Sequence, residues 1–170
     1  SPGSLVVEVA SNDGYLLQYV KAQGIPCLGI EPTRATAEAA RSKGIDTLER
    51  FFGGDFAAEL VSQGYRADLL VANNVLAHVP DINDFLAAIS RVLKPSGVAS
   101  VEFPHLLRWL DGNQFDTIYH EHYSYLSLTT LQRMAEDARL MVLDAEQITT
   151  HGGSLRVWLA RSGDPAAAAQ

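Results

Sequence analysis

The sequence of 170 residues holds a single cysteine, Cys27, and few basic residues. One cysteine forms neither a disulfide framework nor a cysteine zinc cluster within the chain, and a reducing cytoplasm is the expected location. Lysine and arginine number 13 against 20 acidic residues, a formal net charge of −7. Nucleic-acid binding requires clustered Lys and Arg, so we expect a small-molecule substrate and no nucleic-acid partner.

Long apolar runs are also missing. No unbroken stretch reaches the roughly 20 residues that a membrane helix needs, and no basic segment leads into an apolar one near the first residue. We therefore expect a soluble protein with no membrane partner. The length is that of one domain, and 47% hydrophobic residues are enough to build a core.

Strand and helix patterns alternate over the first hundred residues. Apolar runs of strand length are followed by helical periodicity and by Gly or Pro at the turns, including a turn at Lys94–Gly97. Asp55 is expected either to cap the third helix or to bind an adenine amino group. In chain order the predicted elements are a strand from Leu5, a helix over Tyr15–Gln23, a strand over Pro26–Ile30, a helix over Thr33–Lys43, a strand near Ile45–Leu48, a helix from Asp55 through Leu60, a strand over Asp68–Ala72, a helix over Asp81–Leu93 and a strand over Val98–Phe103.

The alternation stops at Pro104–Tyr125, a long aromatic segment predicted to be irregular and functional. A helix over Leu128–Ala138 follows, and then Leu140–Ile148 and Ser154–Ala160 form an antiparallel pair of strands. The pattern predicts an α/β, Rossmann-like fold with a mostly parallel seven-stranded sheet, an antiparallel last strand and helices on both faces. Residues 1–162 are expected to form one domain, and 163–170 a disordered or linker tail.

The segment Leu5–Gly14 is the most informative part of the chain. It lacks the Gly-x-Gly-x-x-Gly turn of a dinucleotide site, so a pyrophosphate fits poorly here. Glu8 instead suits a ligand that carries an ammonium and a carboxylate, since turn amides can meet the anion. Glu31 follows the second strand and can accept both hydroxyls of a ribose.

These features resemble the first motif of S-adenosylmethionine-dependent methyltransferases, with Ala10 at the usual first glycine, which narrows the turn. The resemblance implies S-adenosylmethionine as cofactor; a strand and helix without a cofactor is the alternative. Phe51 or Phe52 would lie on the adenine face, although a place in the core suits both equally well. The expected cofactor-binding residues are Glu8, Ala10, Asn12, Asp13, Gly14, Glu31, Phe51, Phe52, Asn73 and Asn74.

Histidines follow the predicted strands. Because these connections emerge at the carboxyl edge of the sheet, we expect the imidazoles to converge on one cleft, against the alternative that they are simply solvated. The densest group is Tyr119–Tyr123, which offers acids, bases and hydrogen-bond donors. Two histidines and a glutamate can ligate zinc or iron, but we expect no metal. The five histidines of the chain are His78, His105, His120, His122 and His151.

Several longer motifs are similar to the nucleotide-sugar C-methyltransferases, which methylate a carbon of a deoxy-keto-sugar attached to a nucleoside diphosphate. They are EVASNDG at 8–14, GIEP at 29–32, NNVLAH at 73–78, FDTIYHEH at 115–122 and HGGSLR at 151–156. The resemblance implies a class I methyltransferase fold and a nucleotide-linked sugar as substrate. Such enzymes usually carry a cysteine-rich zinc domain before this region and an α/β domain after it, so the resemblance also implies flanking domains that are missing here.

The same resemblance implies roles for individual residues. His122 is the best candidate for the base that removes the proton next to the ketone, with Tyr119, Glu121 and His78 in the same pocket. His120, Tyr123, His151 and Arg156 are expected to bind substrate. An O- or N-methyltransferase for another small metabolite, and a cofactor-binding core that is inactive without flanking domains, remain as alternatives.

Overall fold

The computed structural model describes residues 3–163, and the predicted tail beyond Gly163 lies outside the described residues. This part of the chain contains thirteen strands and helices, which alternate as far as α5. They are β1 Val6–Val9, α1 Leu17–Ala22, β2 Cys27–Ile30, α2 Arg34–Ser42, β3 Thr47–Leu48, α3 Gly54–Ser62, β4 Ala67–Asn73, α4 Ile82–Val92, β5 Leu93–Pro104, α5 Leu106–Asp111, α6 Leu128–Asp137, β6 Leu140–Ile148 and β7 Ser154–Arg161. Short 3-10 turns lie at Leu76–His78, Phe115–Thr117 and Thr150–Gly152.

One seven-stranded sheet in the order β3-β2-β1-β4-β5-β7-β6 organises the molecule. Strands β1 to β5 pair in parallel, whereas β7 runs antiparallel to both β5 and β6. The expected mixed sheet with an antiparallel last strand is therefore confirmed. In a parallel sheet, ligands bind at the carboxyl ends of the strands, which here include Val9, Ile30 and Asn73.

Helices cover both faces, as expected. Successive side chains of a strand point to opposite sides, so Val6 and Val7 of β1 enter different clusters. Val6 packs with Leu17 of α1 and Ala40 of α2. The opposite face holds the larger cluster, to which α3, α4 and α6 contribute Leu60, Ile89 and Leu131.

The prediction of a separate turn at Lys94–Gly97 was wrong. Pairing with β4 begins at Leu93, and β4 advances from Ala67 to Leu69 while β5 advances from Leu93 to Val98, so the segment forms a bulge inside the strand. A Cβ atom on Gly97 would lie 2.5 Å from the Ala67 carbonyl oxygen, which explains why glycine occupies this position. Sequence patterns do not show this because the bulge depends on the neighbouring strand.

Two further local predictions need correction. The Pro104–Tyr125 segment is not wholly irregular, because it contains α5 and a 3-10 turn. Asp55 does not cap α3: the cap position is Gly53, and the carboxylate of Asp84 in α4 accepts the Gly54 N–H at 2.8 Å. A partner 30 residues away supplies the cap, which local sequence does not reveal.

Within residues 3–163, none of the helices has the length and apolar character needed to cross a membrane. No group of three or more His, Cys, Asp or Glu side chains in this range is arranged to hold a metal ion.

Candidate active site

The turn after β1 is built from left-handed residues. Ala10, Asn12 and Gly14 have φ values of 55°, 52° and 76°. Ala10 thus adopts the conformation that a glycine would adopt more easily, at a cost of about 1–2 kcal/mol. Asp13 faces α2, where the Lys43 ammonium at 2.6 Å holds the pKa of the Asp13 carboxyl below its usual range.

Unpartnered buried oxygens cluster at the ends of β1 and β4. Glu8 is buried, and burial raises the pKa of its carboxyl from 4.5 to about 8. The oxygens are Glu8 Oε2, Ser11 Oγ, Asn73 Oδ1 and Asn74 Oδ1, each without a hydrogen-bond partner in the described part of the chain. Buried polar groups without partners are costly, so the oxygens of Glu8, Asn73 and Asn74 fit a ligand that donates hydrogen bonds, such as an ammonium. The Ser11 hydroxyl instead faces Gly29 of β2 and Thr47 of β3.

Glu31 links the first two strands. Its carboxylate accepts the Asn12 N–H at 3.1 Å on Oε2 and the Thr33 N–H at 2.8 Å on Oε1. A carboxylate offers about four lone-pair sites, so Glu31 keeps capacity for the hydroxyls of a ribose. The two amides also fix the side chain at the carboxyl edge of the sheet.

A cavity of about 510 Å³, the first cavity, opens at this edge; its walls include Ala10, Ile30, Phe51, Phe52, Val75 and His78. The two phenylalanines differ in their surroundings. Phe52 packs edge-to-face against Phe85, with ring centroids 5.2 Å apart, whereas Phe51 is 83% exposed. The core alternative therefore applies to Phe52, and Phe51 is the ring available to a planar ligand.

A second cavity of about 370 Å³ lies beside the first. It is bounded by the end of β4, by α5, by the segment after α5 and by the loop before β7. Its walls include Asn74, Trp109, Gln114, Tyr119, His122 and His151. These side chains come from four separate parts of the chain.

His122 is the most constrained side chain of the second cavity. Its Nδ1 lies 2.8 Å from the Thr117 carbonyl oxygen, and its Nε2 lies 2.9 Å from the Tyr119 hydroxyl. A carbonyl only accepts hydrogen bonds, so Nδ1 carries the proton and the neutral ring keeps its lone pair on Nε2. The arrangement orients a basic nitrogen toward a phenol that can donate to it.

Aromatic rings enclose His122. Trp109 stacks on the imidazole at 5.3 Å and 25°, and Tyr125 meets Trp109 edge-on at 5.4 Å. Neither Trp109 nor Gln114 was predicted from the sequence to belong to the site. Their only signal was membership of the aromatic segment after β5, because α5 was not recognised.

His78 joins the two cavities. It lines the first cavity, and its ring centroid lies 4.8 Å from that of His122 in the second. Its Nδ1 hydrogen bonds to the Glu121 carbonyl oxygen at 2.9 Å. Glu121 therefore contributes its main chain, while its side chain is exposed and lines neither cavity.

Convergence of the histidines is only partial. His78, His122 and His151 border the two adjacent cavities, whereas His105 and His120 line neither. His105 is buried at the start of α5, and burial lowers the pKa of its imidazole. His120 is exposed, as is Tyr123, because the chain turns outward on either side of the buried His122.

A buried carboxylate, Glu102 of β5, anchors the loop before β7. Its Oε1 accepts the Thr150 hydroxyl at 2.7 Å and lies 3.8 Å from His151 Nδ1. Arg156, its direct neighbour on β7, lies 3.6 Å from Oε2 and also pairs with Glu146 at 3.0 Å. Glu102 was not predicted from the sequence, although an acidic residue within an apolar strand was an available signal.

The first 145 residues match the model of a family described as a methyltransferase domain. The chain is 39% identical over 166 residues to the C-methyltransferase NovU of Streptomyces niveus, covering 98% of this chain and 39% of that protein. It is 23% identical over 160 residues to the ubiquinone biosynthesis O-methyltransferase of Bartonella quintana, covering 85% of this chain and 63% of that protein. The chain thus spans less than two thirds of the length of either relative.

Solved structures share the fold. The magnesium protoporphyrin IX methyltransferase of Synechocystis PCC 6803 with bound SAH superposes with a TM-score of 0.72 at 15% identity, over 95% of this chain and 75% of that one. An S-adenosylmethionine-dependent methyltransferase from Clostridium acetobutylicum superposes with a TM-score of 0.73 at 11% identity, over 94% and 85%. The seven-stranded sheet is thus the Rossmann-like sheet of class I methyltransferases.

Proposed function

We infer that the chain, which belongs to the methyltransferase domain family, is an S-adenosylmethionine-dependent methyltransferase. We propose that it methylates a carbon atom of a deoxy-keto-sugar linked to a nucleoside diphosphate. The 39% identity to a C-methyltransferase supports transfer to carbon. The sugar nucleotide is suggested by the motifs NNVLAH at 73–78, FDTIYHEH at 115–122 and HGGSLR at 151–156. Turnover would require further domains only if those domains form part of the substrate pocket.

Residues at the carboxyl ends of β1, β2 and β4, together with Phe51 of the first cavity, fit the cofactor. The buried oxygens of Glu8, Asn73 and Asn74 can accept hydrogen bonds from its ammonium, and Glu31 can accept those of its ribose. Phe51 offers an exposed ring for the adenine. When bound, S-adenosylmethionine would supply a methyl group that is attached to a sulfonium sulfur. The sulfur would keep the electron pair of the C–S bond when a carbon nucleophile takes the methyl group.

The Tyr119–His122 pair carries this proposal. A carbon next to a ketone becomes nucleophilic only after it loses a proton, and His122 Nε2 holds a lone pair at the wall of the second cavity. The hydroxyl of Tyr119, a partly exposed residue of the same wall, lies 2.9 Å from this nitrogen. The phenol oxygen can take the carbon's proton while it passes its own proton to Nε2, and the carbon's electron pair is then free to form the new bond.

Deuterium exchange tests this chemistry separately from methyl transfer. The protein is incubated in D₂O with a nucleoside-diphosphate keto-sugar and S-adenosylhomocysteine, and loss of the proton next to the ketone is followed by NMR. We expect catalysed exchange, and a carbon-bound methyl group when ¹³C-methyl S-adenosylmethionine replaces S-adenosylhomocysteine. Absence of both exchange and methylation with wild-type protein would contradict the proposal.

An O-methyltransferase is the second candidate, favoured by the 23% identity to a ubiquinone biosynthesis O-methyltransferase. Transfer to oxygen needs no C–H deprotonation, so exchange would be absent while methylation proceeds. The ¹³C chemical shift of the transferred methyl separates the two candidates, because carbon-bound and oxygen-bound methyl groups resonate in different regions. A third outcome, tight cofactor binding without turnover, would indicate a core that depends on further domains.

A further inference from the structure

The second cavity is poor in positive charge. Neither lysine nor arginine is among the described residues that line it. Deprotonation next to a ketone places negative charge on the ketone oxygen. A hydrogen-bond donor that is already aimed at that oxygen stabilises the charge. His122 is occupied at both nitrogens by Thr117 and Tyr119, so the donor must be another residue.

His151 also lines this cavity, on the loop before β7. Its Nδ1 faces Glu102, while its Nε2 makes no hydrogen bond to the described part of the chain. An imidazole with a proton on each nitrogen can face the Glu102 carboxylate with Nδ1 and donate a hydrogen bond from Nε2 to a substrate oxygen. The open nitrogen is therefore suited to a substrate oxygen.

The backbone of His151 is held in an unfavourable conformation. Its φ and ψ are 51° and 37°, in the left-handed region, and it is followed by Gly152 and Gly153 with φ of 75° and 119°. Glycine would be the unstrained choice at all three positions. A residue that keeps its side chain at such a position is a candidate for function.

Contacts on two sides hold this loop. Glu102 binds the Thr150 hydroxyl from the sheet, and the Gln114 side-chain amide donates to the Gly152 carbonyl oxygen at 3.0 Å. A Cβ atom on Gly153 would lie 2.9 Å from Arg108 Cβ, so the loop packs closely on α5. These contacts place the strained residue between a rigid strand and the cavity.

We propose that His151, with a proton on each ring nitrogen, donates a hydrogen bond from Nε2 to the substrate oxygen that becomes negatively charged, and that Glu102 is the positioning residue that holds the imidazole there. The inference rests on the proposed function, which supplies the charged oxygen. It assigns different tasks to the residues that line the second cavity, proton removal to Tyr119 and His122 and charge stabilisation to His151.

Kinetics of the H151G, E102Q and R139G variants test the roles. Arg139 is the matched control, because it is an exposed non-glycine residue with φ of 59° that lies after α6, outside both cavities. We expect H151G to lower kcat about 10²–10³-fold, the usual effect of losing one oxyanion donor, with little change in KM. E102Q should lower kcat less than H151G does, and R139G should behave as wild type. Unchanged kcat in H151G, or an effect on KM alone, would overturn the catalytic role.

Thermal unfolding without substrate tests the positioning role. Replacing a left-handed residue by glycine should raise Tm by about 2–4 °C in a chain of this size, for both H151G and R139G. If Glu102 offsets the strain at His151, the rise caused by H151G becomes larger in the E102Q background, while that of R139G stays the same. Equal rises for H151G in both backgrounds would overturn the positioning role.

The activity assays and the unfolding measurements separate failure of the proposed function from failure of the roles given to His151 and Glu102. If wild type exchanges and methylates the keto-sugar but H151G does so equally well, only the inference is overturned. If wild type does neither, the proposed function and the oxyanion role both fall, and the unfolding cycle still decides whether Glu102 holds His151.

Discussion

The imidazole rings of His78 and His122 lie 4.8 Å apart, and the Nδ1 of each hydrogen bonds to a main-chain carbonyl oxygen, that of Glu121 or Thr117. Since a carbonyl does not donate, each neutral ring has its lone pair on Nε2. The two rings thus present fixed tautomers at the boundary between the first and second cavities. The local chain creates this arrangement by turning sharply around the buried His122.

Substitution of His122 by asparagine should separate catalysis from binding. The asparagine amide can still donate to the Thr117 carbonyl oxygen, but the basic Nε2 is lost. We expect proton exchange and methyl transfer to fall about 10²–10⁴-fold, with unchanged affinity for S-adenosylhomocysteine by calorimetry. Wild-type exchange rates in this variant would rule out His122 as the base.

Glu8 should make stability depend on pH. Burial raises the pKa of its carboxyl from 4.5 to about 8, so the unfolded chain releases this proton at a lower pH than the folded chain does. Stability from this group is full below about pH 4.5 and falls by about 1.4 kcal/mol per pH unit until pH passes about 8. Urea unfolding at several pH values should show this slope in wild type and a flatter profile in E8Q. The exposed Glu38 provides the control, since E38Q should keep the wild-type slope.

Cofactor binding should release a proton from Glu8. At pH 7 the carboxyl is largely protonated in the ligand-free protein, because its pKa is about 8. An ammonium placed beside it favours the carboxylate, so binding expels the proton to the buffer. Calorimetric titrations with S-adenosylmethionine in buffers of different ionisation enthalpy should therefore give different apparent enthalpies. If E8Q shows the same buffer dependence as wild type, the ammonium is not beside Glu8.

Ala10 offers a direct test of strain in the turn after β1. Its φ of 55° favours glycine, so A10G should stabilise the protein by about 1 kcal/mol, a Tm rise of about 2–4 °C. In the middle of α2, A39G should have the opposite effect, a loss of about 1 kcal/mol, since glycine weakens a helix interior. Destabilisation by both changes would mean that the Ala10 methyl contributes packing that exceeds its backbone cost.

Local sequence was a good guide where an element depends on its own side chains. The strands β1, β2 and β4 are short apolar runs, and α4 begins after Asp81, whose side chain accepts the Asp84 N–H at 3.0 Å. It was a poor guide where a distant residue decides the outcome. The cap of α3 comes from Asp84, and the bulge before Val98 appears only in the register of β5 against β4, where the Ala67 carbonyl oxygen leaves no room for a Cβ atom on Gly97.

The candidate site shows the same division. Glu8, near the end of β1, and Glu31, directly after β2, follow from strand ends alone, because the carboxyl ends of parallel strands meet at one edge of the sheet. Glu102 and Trp109 were missed, since their importance comes from contacts with Thr150 and His122 far along the chain. The expectation that all histidines converge failed for His105 and His120 because local turns point one into the interior and the other to solvent.

By itself, then, the sequence determined the sheet type, the alternation of strands and helices, and the motifs that mark a methyltransferase. Periodicity and turn residues act over a few positions, so they can be read in order along the chain. Tertiary structure alone decided that His122 is buried between Trp109 and His78, and that Glu102 lies behind His151. Those contacts join segments that are distant in sequence, and only the packed sheet brings them within a few ångströms.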